Sequence, residues 1–487
     1  MLRRIFDRSP FASILDAHAE LRQLGAIRIA TGLLCLARIV PSIWASRYYF
    51  EEGAWGIPWV TVEGLPIVAL ILLVTAGVFT PVSTVALLLA TRRYEGHLES
   101  ESLSTDVLSL LLSLLVLTSA GARRSVDAVW LRQPGWLGSP VRALYRLVGI
   151  PSTSGIRIIL VLYFVAFGLI NLGGAVNHWH EEAWRSGRAL DIIFSSTYMS
   201  RVWGPWRALD LRFPELAMWI SWVLTMIQLV AQTTMLALVW WRPTARLVIA
   251  WGALFFLSSI FALQLHYLGA FELLIWAAIF HRPRRSDPTP AGAFVRRPWS
   301  EQTIAAAGAI FLTIFVAHES WAFAGIREYP FPKLRLYLDT IGVHSPRVFN
   351  YNDLPLGDPW CIVYRGDREE RLPYHGSRGE RLAWVQWNDL LLYRSSIRWR
   401  NEFHADTVLD PHRDAVGRLQ QLVVFDHRRR HVQTSTYVVD VFVSSASRTD
   451  LPPAERFERR FIGSIRFHCS GERNATRCTP VVGAATE

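Results

Sequence analysis

The sequence predicts a polytopic α-helical membrane bundle of about eight to nine spans over residues 1–320, followed by an extracytoplasmic β-rich domain over residues 330–487. Three observations predict it. Of 487 residues, 51% are hydrophobic and only 19% charged, with 21 Trp and 25 Phe and a mean hydropathy of +0.22, which is too apolar for an ordinary soluble chain. The apolar residues are gathered into long runs rather than dispersed with a period. The last third has a different pattern, of short β-branched and aromatic runs bounded by turn residues. With only 4 Cys and an ordinary 31 Gly, a disulfide scaffold, a collagen and a disordered chain are excluded.

The apolar runs fall at about 24–44, 65–79, 82–92, 105–120, 157–175, 215–241, 245–263, 266–281 and 302–318. The pair around Pro81 reads either as one broken helix or as two tilted ones. Arginine placement orients them. With the N-terminus inside, the inner segments carry Arg3, Arg4, Arg8 and Arg22, then Arg123, Arg124, Arg132, Arg142 and Arg146, then Arg242 and Arg246, then Arg282, Arg284, Arg285, Arg296 and Arg297. The outer segments are balanced or acidic, with Arg92 and Arg93 as the exception. An odd number of spans puts the C-terminal domain outside, in a multi-pass protein of the cell inner (plasma) membrane. The net charge of +11 is then a topology signal, and nucleic acid is not an expected partner.

In the tail, 360–364, 382–387, 422–425, 437–443 and 461–467 read as strands, with Asp426 to His431 as a hairpin tip. Cys469 and Cys478 are close enough in sequence to close a short loop in an oxidising compartment, and are expected to form a disulfide. Cys361 has no evident partner there, and Cys35 reads as a small core residue of the first span.

Gly-rich phosphate loops, Cys-x-x-Cys, His-Glu-x-x-His and Gly-x-Ser-x-Gly are absent. Polar groups at or within the membrane remain. His178, His180 and Glu182 are the candidate catalytic or metal-ligating set, since His178 and Glu182 would share a face of one helix. The same Trp-rich stretch also reads as an interface anchor. Gln228 and Gln232, one turn apart in an apolar span, either line a polar cavity or hold a neighbouring helix. His266 and Glu272, near Gly269, are titratable groups in an apolar run and are functional candidates on that ground. Asp106 reads as an N-cap. Arg28 and Arg38, within the first span, are expected to meet acidic or carbonyl groups.

Leu24-Gly25-x-x-Arg28-Ile29 with Gly32, Tyr49-Phe50-Glu51-Glu52-Gly53, Arg124-Ser125-Val126-Asp127-Ala128, Tyr163-Phe164-Val165-Ala166, Trp184-Arg185-Ser186-Gly187-Arg188-Ala189-Leu190 and Gln264-Leu265 before Gly269-Ala270-Phe271 occur in an order that matters. Together they resemble the horizontally transferred transmembrane (HTTM) domain of vitamin K-dependent gamma-glutamyl carboxylases and their bacterial relatives. The resemblance implies a helical bundle with an outward-facing cavity, a bound lipid or quinone, and an exported polypeptide as partner. Asn171, Gln228, Gln232 and Gln264 are the residues expected to line that cavity.

The departures from the family pattern bear on activity. Where the carboxylases carry a lysine that the family uses as base, this chain has Gly168-Leu169-Ile170-Asn171-Leu172, and Asn171 cannot act as a base near neutral pH. The family's His-x-x-Asn is replaced by Ser259-Ile260-Phe261-Ala262. The single lysine of the chain is Lys333, beyond the last span. Two functions follow as expectations. One is a non-carboxylating member that anchors, matures or assembles with an exported or membrane partner through its outer domain. The other is a membrane-embedded enzyme of altered chemistry acting on a lipid, quinone or exported peptide, with His178, His180, Glu182 and His266 as its reactive groups.

Overall fold

A computed structural model describes residues 21–46, 59–97, 103–122, 124–133, 135–136, 138–151, 153–195, 200–263, 265–280, 301–323, 359–365, 370–371, 420, 423–424, 427, 434–444, 459–470 and 477–481. Gln264, the segment 382–387 and most of the 330–487 region lie outside the described residues.

Each of the apolar runs is a helix: α1 (Leu21–Ser46), α2 (Trp59–Ala76), α3 (Thr80–His97) and α4 (Leu103–Leu117) come first. A 3₁₀ turn at Ala120–Ala122 and two short helices, α5 (Val126–Arg132) and α6 (Gly138–Val148), lead to α7 (Thr153–His180). The short helices α8 (Glu182–Arg185), α9 (Ala189–Ser195) and α10 (Trp203–Arg212) precede α11 (Pro214–Leu238), α12 (Arg242–Phe261), α13 (His266–Phe280) and α14 (Glu301–Phe323). Among the described residues, four segments are long and apolar enough to cross a membrane: Gln23–Pro41, Gly155–His180, Pro214–Leu238 and Pro243–Phe261. Shorter apolar helical stretches cover Thr61–Ala76, Ser104–Leu117, His266–Phe280 and Gln302–Ile314.

The region around Pro81 is two helices. Gly77, with φ of 74°, and Phe79, with φ of 46°, make the turn between α2 and α3, and Pro81 occupies the first turn of α3, where a missing N–H costs nothing. Side-chain contacts fix the pairing directions. Arg28 meets Val74 and Thr75, whereas Ile43 packs on Gly64, so α1 and α2 are antiparallel. Gln23 Nε2 donates to Ala277 O at 2.8 Å and Tyr267 OH to Ala37 O at 2.9 Å, so α13 also runs antiparallel to α1. One buried core joins α1–α4, α7 and α11–α13, and its aromatic centre is Phe164, Phe167, Phe256, Trp276 and Phe280. Glycines let the helices approach: a Cβ on Gly252 would lie 2.4 Å from the Trp276 ring, and one on Gly168 2.3 Å from Leu236.

Two ion pairs bring the α3 arginines to acids of neighbouring helices. Arg92 binds Asp106 at 2.6 Å and donates to Ser109 Oγ at 2.9 Å, and Arg93 reaches Glu63 at 3.5 Å. The N-cap reading of Asp106 is corrected: α4 begins at Leu103, so Asp106 lies within the first turn, where it holds Arg92 of a neighbouring helix.

The C-terminal part contains a five-stranded antiparallel sheet, β1 (Pro359–Arg365), β2 (Glu370–Arg371), β3 (Thr434–Ser444), β4 (Arg459–Ser470) and β5 (Arg477–Val481), in the order β2-β1-β3-β4-β5. Along β4, Ile465, Phe467 and Cys469 are buried while Ser464, Arg466, His468 and Ser470 are exposed, the period of two expected of a half-covered sheet. A disulfide joins Cys469 and Cys478, directly opposite each other in the β4–β5 ladder. Apart from His427, the expected hairpin tip at 426–431 lies outside the described residues, and the expectation of a strand at 422–425 is corrected: Val423 and Val424 are helical, as are Gln420 and His427. Their spacing is that of one helical face, and a short apolar run does not by itself distinguish helix from strand. Gln420 Nε2 donates to Cys478 O at 2.5 Å, and His427 lies against Tyr437 with ring centroids 5.8 Å apart, so this face covers the sheet.

Candidate functional site

The expected histidine–glutamate set is dispersed. α7 ends at His180, and Glu181 is extended with φ of −100° and ψ of 134°, so His178 and Glu182 do not share a helical face. His178 is buried with its ring 3.8 Å from that of Trp184, whereas His180 and Glu182 are exposed. Among the described residues, no group of three or more His, Cys, Asp or Glu is arranged to hold a metal ion.

The Trp184–Leu190 segment is held by the α11 helix below it. Gly187, with φ of 76°, presents its carbonyl to Ser221 Oγ at 2.8 Å and Thr225 Oγ1 at 3.2 Å. The amides of Asp191 and Leu190 donate back to Ser221 and Thr225 at 2.9 and 3.3 Å. Asp191, buried, accepts from Trp206 Nε1 at 2.8 Å. Two hydroxyls one turn apart thus seat both ends of a tight turn, a structural use of polar groups.

His266 starts α13, just after the break that separates it from α12. Its Nδ1 lies 3.0 Å from Ile260 O, a carbonyl that can only accept, and its Nε2 lies 2.7 Å from the Arg201 guanidinium, which can only donate. Those partners select the neutral Nδ1–H tautomer and occupy the Nε2 lone pair, so His266 is held as a strut between the Ser200–Val202 turn and α13. Ser200 bridges Leu263, and Arg201 N donates to Ala262 O at 2.9 Å, which fastens the same turn.

Of the three described glutamine and asparagine candidates, Asn171 bonds the Phe167 carbonyl of its own helix and Gln228 ties two helices. Phe167 on α7, Phe256 on α12 and Trp276 on α13 form one rung, with ring centroids 5.8, 5.6 and 6.2 Å apart. One turn beyond it on α7 stands Asn171, and one turn before Trp276 on α13 stands Glu272. Leu236 against Gly168 sets the register of α11 on α7, and Gln232 is one turn from Leu236. Gln228, one turn from Gln232 along α11, accepts from Trp251 Nε1 at 3.2 Å and ties α11 to α12. Glu272 stands out in the sequence by its position on an apolar helix.

A second buried polar cluster gathers around Arg28 of α1. Arg28, with 0% exposure, donates to the carbonyls of Val74, of Thr75 at 2.7 Å and of Arg124 at 2.8 Å, closing the last turn of α2. Asp127, also 0% exposed, accepts from the amides of Phe79 and Thr80, both at 2.7 Å, capping the start of α3. Tyr145 OH donates to the same carboxylate at 3.0 Å, and Asp127 N donates to Gly77 O at 2.9 Å. Burial first, and the Asp127 charge second, hold the Tyr145 hydroxyl protonated well above its ordinary range. The sequence indicated that Arg28 would find carbonyls, but not that Asp127 and Tyr145 would join it, because their separation of about 100 residues carries no local signal. No protein-family model, no curated protein and no solved structure matches this chain.

Proposed function

We propose that this chain is a multi-pass membrane protein of the HTTM type, related to vitamin K-dependent carboxylases but not carboxylating. In it the apolar helices cross the inner membrane about nine times. The N-terminus is cytoplasmic, and the sheet domain lies outside and assembles with, or matures, an exported or membrane partner. The observation that carries this reading lies in the stretch that stands where the family has its lysine, Gly168–Leu172: it holds no lysine, and Gly168 packs so near Leu236 that a Cβ would approach to 2.3 Å. The arginines that break the positive-inside pattern, Arg92 and Arg93, are both paired with acids, which favours the orientation, and the Cys469–Cys478 disulfide favours an oxidising compartment for the sheet.

Complementation of a deletion strain tests this reading. A chain with alanine at His178, His180, Glu182 and His266 is expected to complement fully; failure by a chain that inserts and accumulates normally overturns the anchor. A cysteine introduced at Asp426 should react with an impermeant maleimide from outside, and labelling from the cytoplasmic side alone overturns the orientation.

The polar residues Asn171, Gln232 and Glu272 on otherwise apolar helices favour one second reading, an enzyme of altered chemistry with a bound lipid or quinone in an outward-facing cavity. Mass spectrometry of lipids held by the purified protein separates the two. A quinone or lipid retained by the native chain and lost from Asn171→Leu and Gln232→Leu supports the enzyme, whereas identical lipid content retires it.

A further inference from the structure

The connection between α4 and α7 forms a layer across the end of the bundle at which α2 turns into α3. Asp127 caps the start of α3, Trp130 lies against the Phe79 ring with centroids 5.9 Å apart, and Ser119 Oγ donates to Gly149 O at 3.4 Å. On α6, Val141 and Tyr145, one turn apart, are buried, while Ala143, Arg146 and Leu147 are exposed. Arg142 donates to Gln133 O at 2.7 Å and so holds the loop bearing Trp136 against α6. These contacts keep the layer at the level of the helix ends, the depth of the headgroups in a bilayer.

Its outer surface mixes cations with large apolar side chains. Residues 121–151 contain five arginines and a single acid, Asp127, which is buried. Arg124, Arg132 and Arg146 are exposed, and the ion pairs among the described residues lie elsewhere, on Arg92 and Arg93. Leu147, adjoining Arg146, is 85% exposed, and Trp136 is 82% exposed; Val129, three residues before Arg132 on α5, is exposed as well. Water around such side chains is unfavourable and acyl chains relieve it, while arginine stems lying along that apolar surface carry their heads to phosphate oxygens.

Resting on the membrane reading above, though not on its orientation or its partner, we propose that the exposed face of α5 and α6 is a docking surface for an anionic phospholipid leaflet. Arg124, Arg132 and Arg146 meet the phosphates, and Trp136 and Leu147 enter the boundary between headgroups and acyl chains. Charge selects the occupant, since the face carries exposed cations and its one acid is buried. Trp and Leu set among arginines are the composition of a helix that lies in the interface, and a free anion would make no use of them.

The experiment follows thermal unfolding of the purified full chain in detergent as dioleoyl phosphatidylglycerol or dioleoyl phosphatidylcholine is added. A saturable rise of the midpoint by about 2 °C or more is expected with phosphatidylglycerol alone, fading as NaCl is raised toward about 1 M. The half-saturating concentration should grow about fivefold for each of Arg124→Gln, Arg132→Gln and Arg146→Gln, and stay unchanged in Arg466→Gln, an exposed arginine of β4. Equal responses to the two lipids overturn the proposal, as does an undiminished rise in the triple variant or the same rise with inorganic phosphate at matched ionic strength. If the triple variant does not accumulate, an undiminished rise in Trp136→Ser with Leu147→Ser overturns it instead. Flotation with phosphatidylcholine vesicles checks the membrane reading separately: a chain that floats without preferring phosphatidylglycerol overturns the docking surface alone, and one that does not float overturns both.

Discussion

The Tyr145 hydroxyl donates to Oδ2 of Asp127 at 3.0 Å, and the same oxygen accepts the amide of Thr80 at 2.7 Å. One carboxylate thereby joins α6 to the start of α3, while Arg28 holds the end of α2 from the other side. Removing Asp127 leaves two helix-end amides and a phenol unsatisfied beside a buried guanidinium. Asp127→Ala is expected to destabilise the bundle by about 3–5 kcal/mol, and Asp127→Asn by less. Unfolding of the detergent-solubilised variants measures both, and a loss under about 1 kcal/mol for the alanine variant contradicts the clamp.

The same pair predicts a pH dependence with a defined sign. The folded pKa of Tyr145 is raised, so its contribution to stability is complete below the unfolded value of about 10 and is lost as pH rises toward and through the folded pKa. Stability of the native chain should fall more steeply above about pH 10 than that of Tyr145→Phe. Parallel pH profiles of unfolding midpoint for the two chains would dismiss the linkage.

Gly168 offers a test by compensation. Gly168→Ala places a methyl against Leu236 and is expected to cost about 1–3 kcal/mol through overpacking. Shortening the neighbour in Gly168→Ala with Leu236→Ala should recover part of the loss relative to Leu236→Ala alone. Additivity of the two changes would mean that the helices do not meet there.

Gly187 is a contrasting case. Its φ of 76° disfavours a side chain, and a Cβ would stand 2.8 Å from the backbone Cα of Trp222 as well as 2.3 Å from its ring. Gly187→Ala should therefore remain destabilised when Trp222→Ala is added, because backbone cannot be trimmed. Full rescue by Trp222→Ala in the same unfolding assay counts against this geometry.

Cys469 and Cys478 close a loop with a sequence separation of 9, for which chain entropy predicts about 2–3 kcal/mol. The double Cys→Ser variant should lower the resistance of the sheet region to protease by a corresponding amount while leaving the helices protected. Equal proteolysis of oxidised and variant chains would show that the sheet does not rely on the bridge.

The helical part of the fold is legible because the apolar residues are gathered into long runs, and the described segments from 24–44 through 302–318 are helical where those runs lie. Strands at 360–364, 437–443 and 461–467 are legible from their β-branched runs. The helical state of Gln420, Val423, Val424 and His427 is not, since a short apolar run does not by itself distinguish helix from strand. At the candidate site, Asn171, Gln228 and Gln232 stand out as amides among apolar residues, and the structure ties Gln228 to Trp251. His178 and Glu182 illustrate the limit: a four-residue spacing means a shared face only if the helix continues, and Glu181 ends it. The clamp of Arg28 with Asp127 and Tyr145 is a tertiary arrangement with no periodic trace.

The clamp also bears on biogenesis. Arg28 finds one of its acceptors, the Arg124 carbonyl, at a separation of 96 residues, and the capping carboxylate of α3 follows three residues later at Asp127. A nascent chain ending before Arg124 has produced α1 and α2 but cannot complete the buried environment of the Arg28 guanidinium. A chain extending past Val148 supplies Arg124, Asp127 and Tyr145 together. The stretch from α1 through α6 is therefore the shortest that can close this cluster.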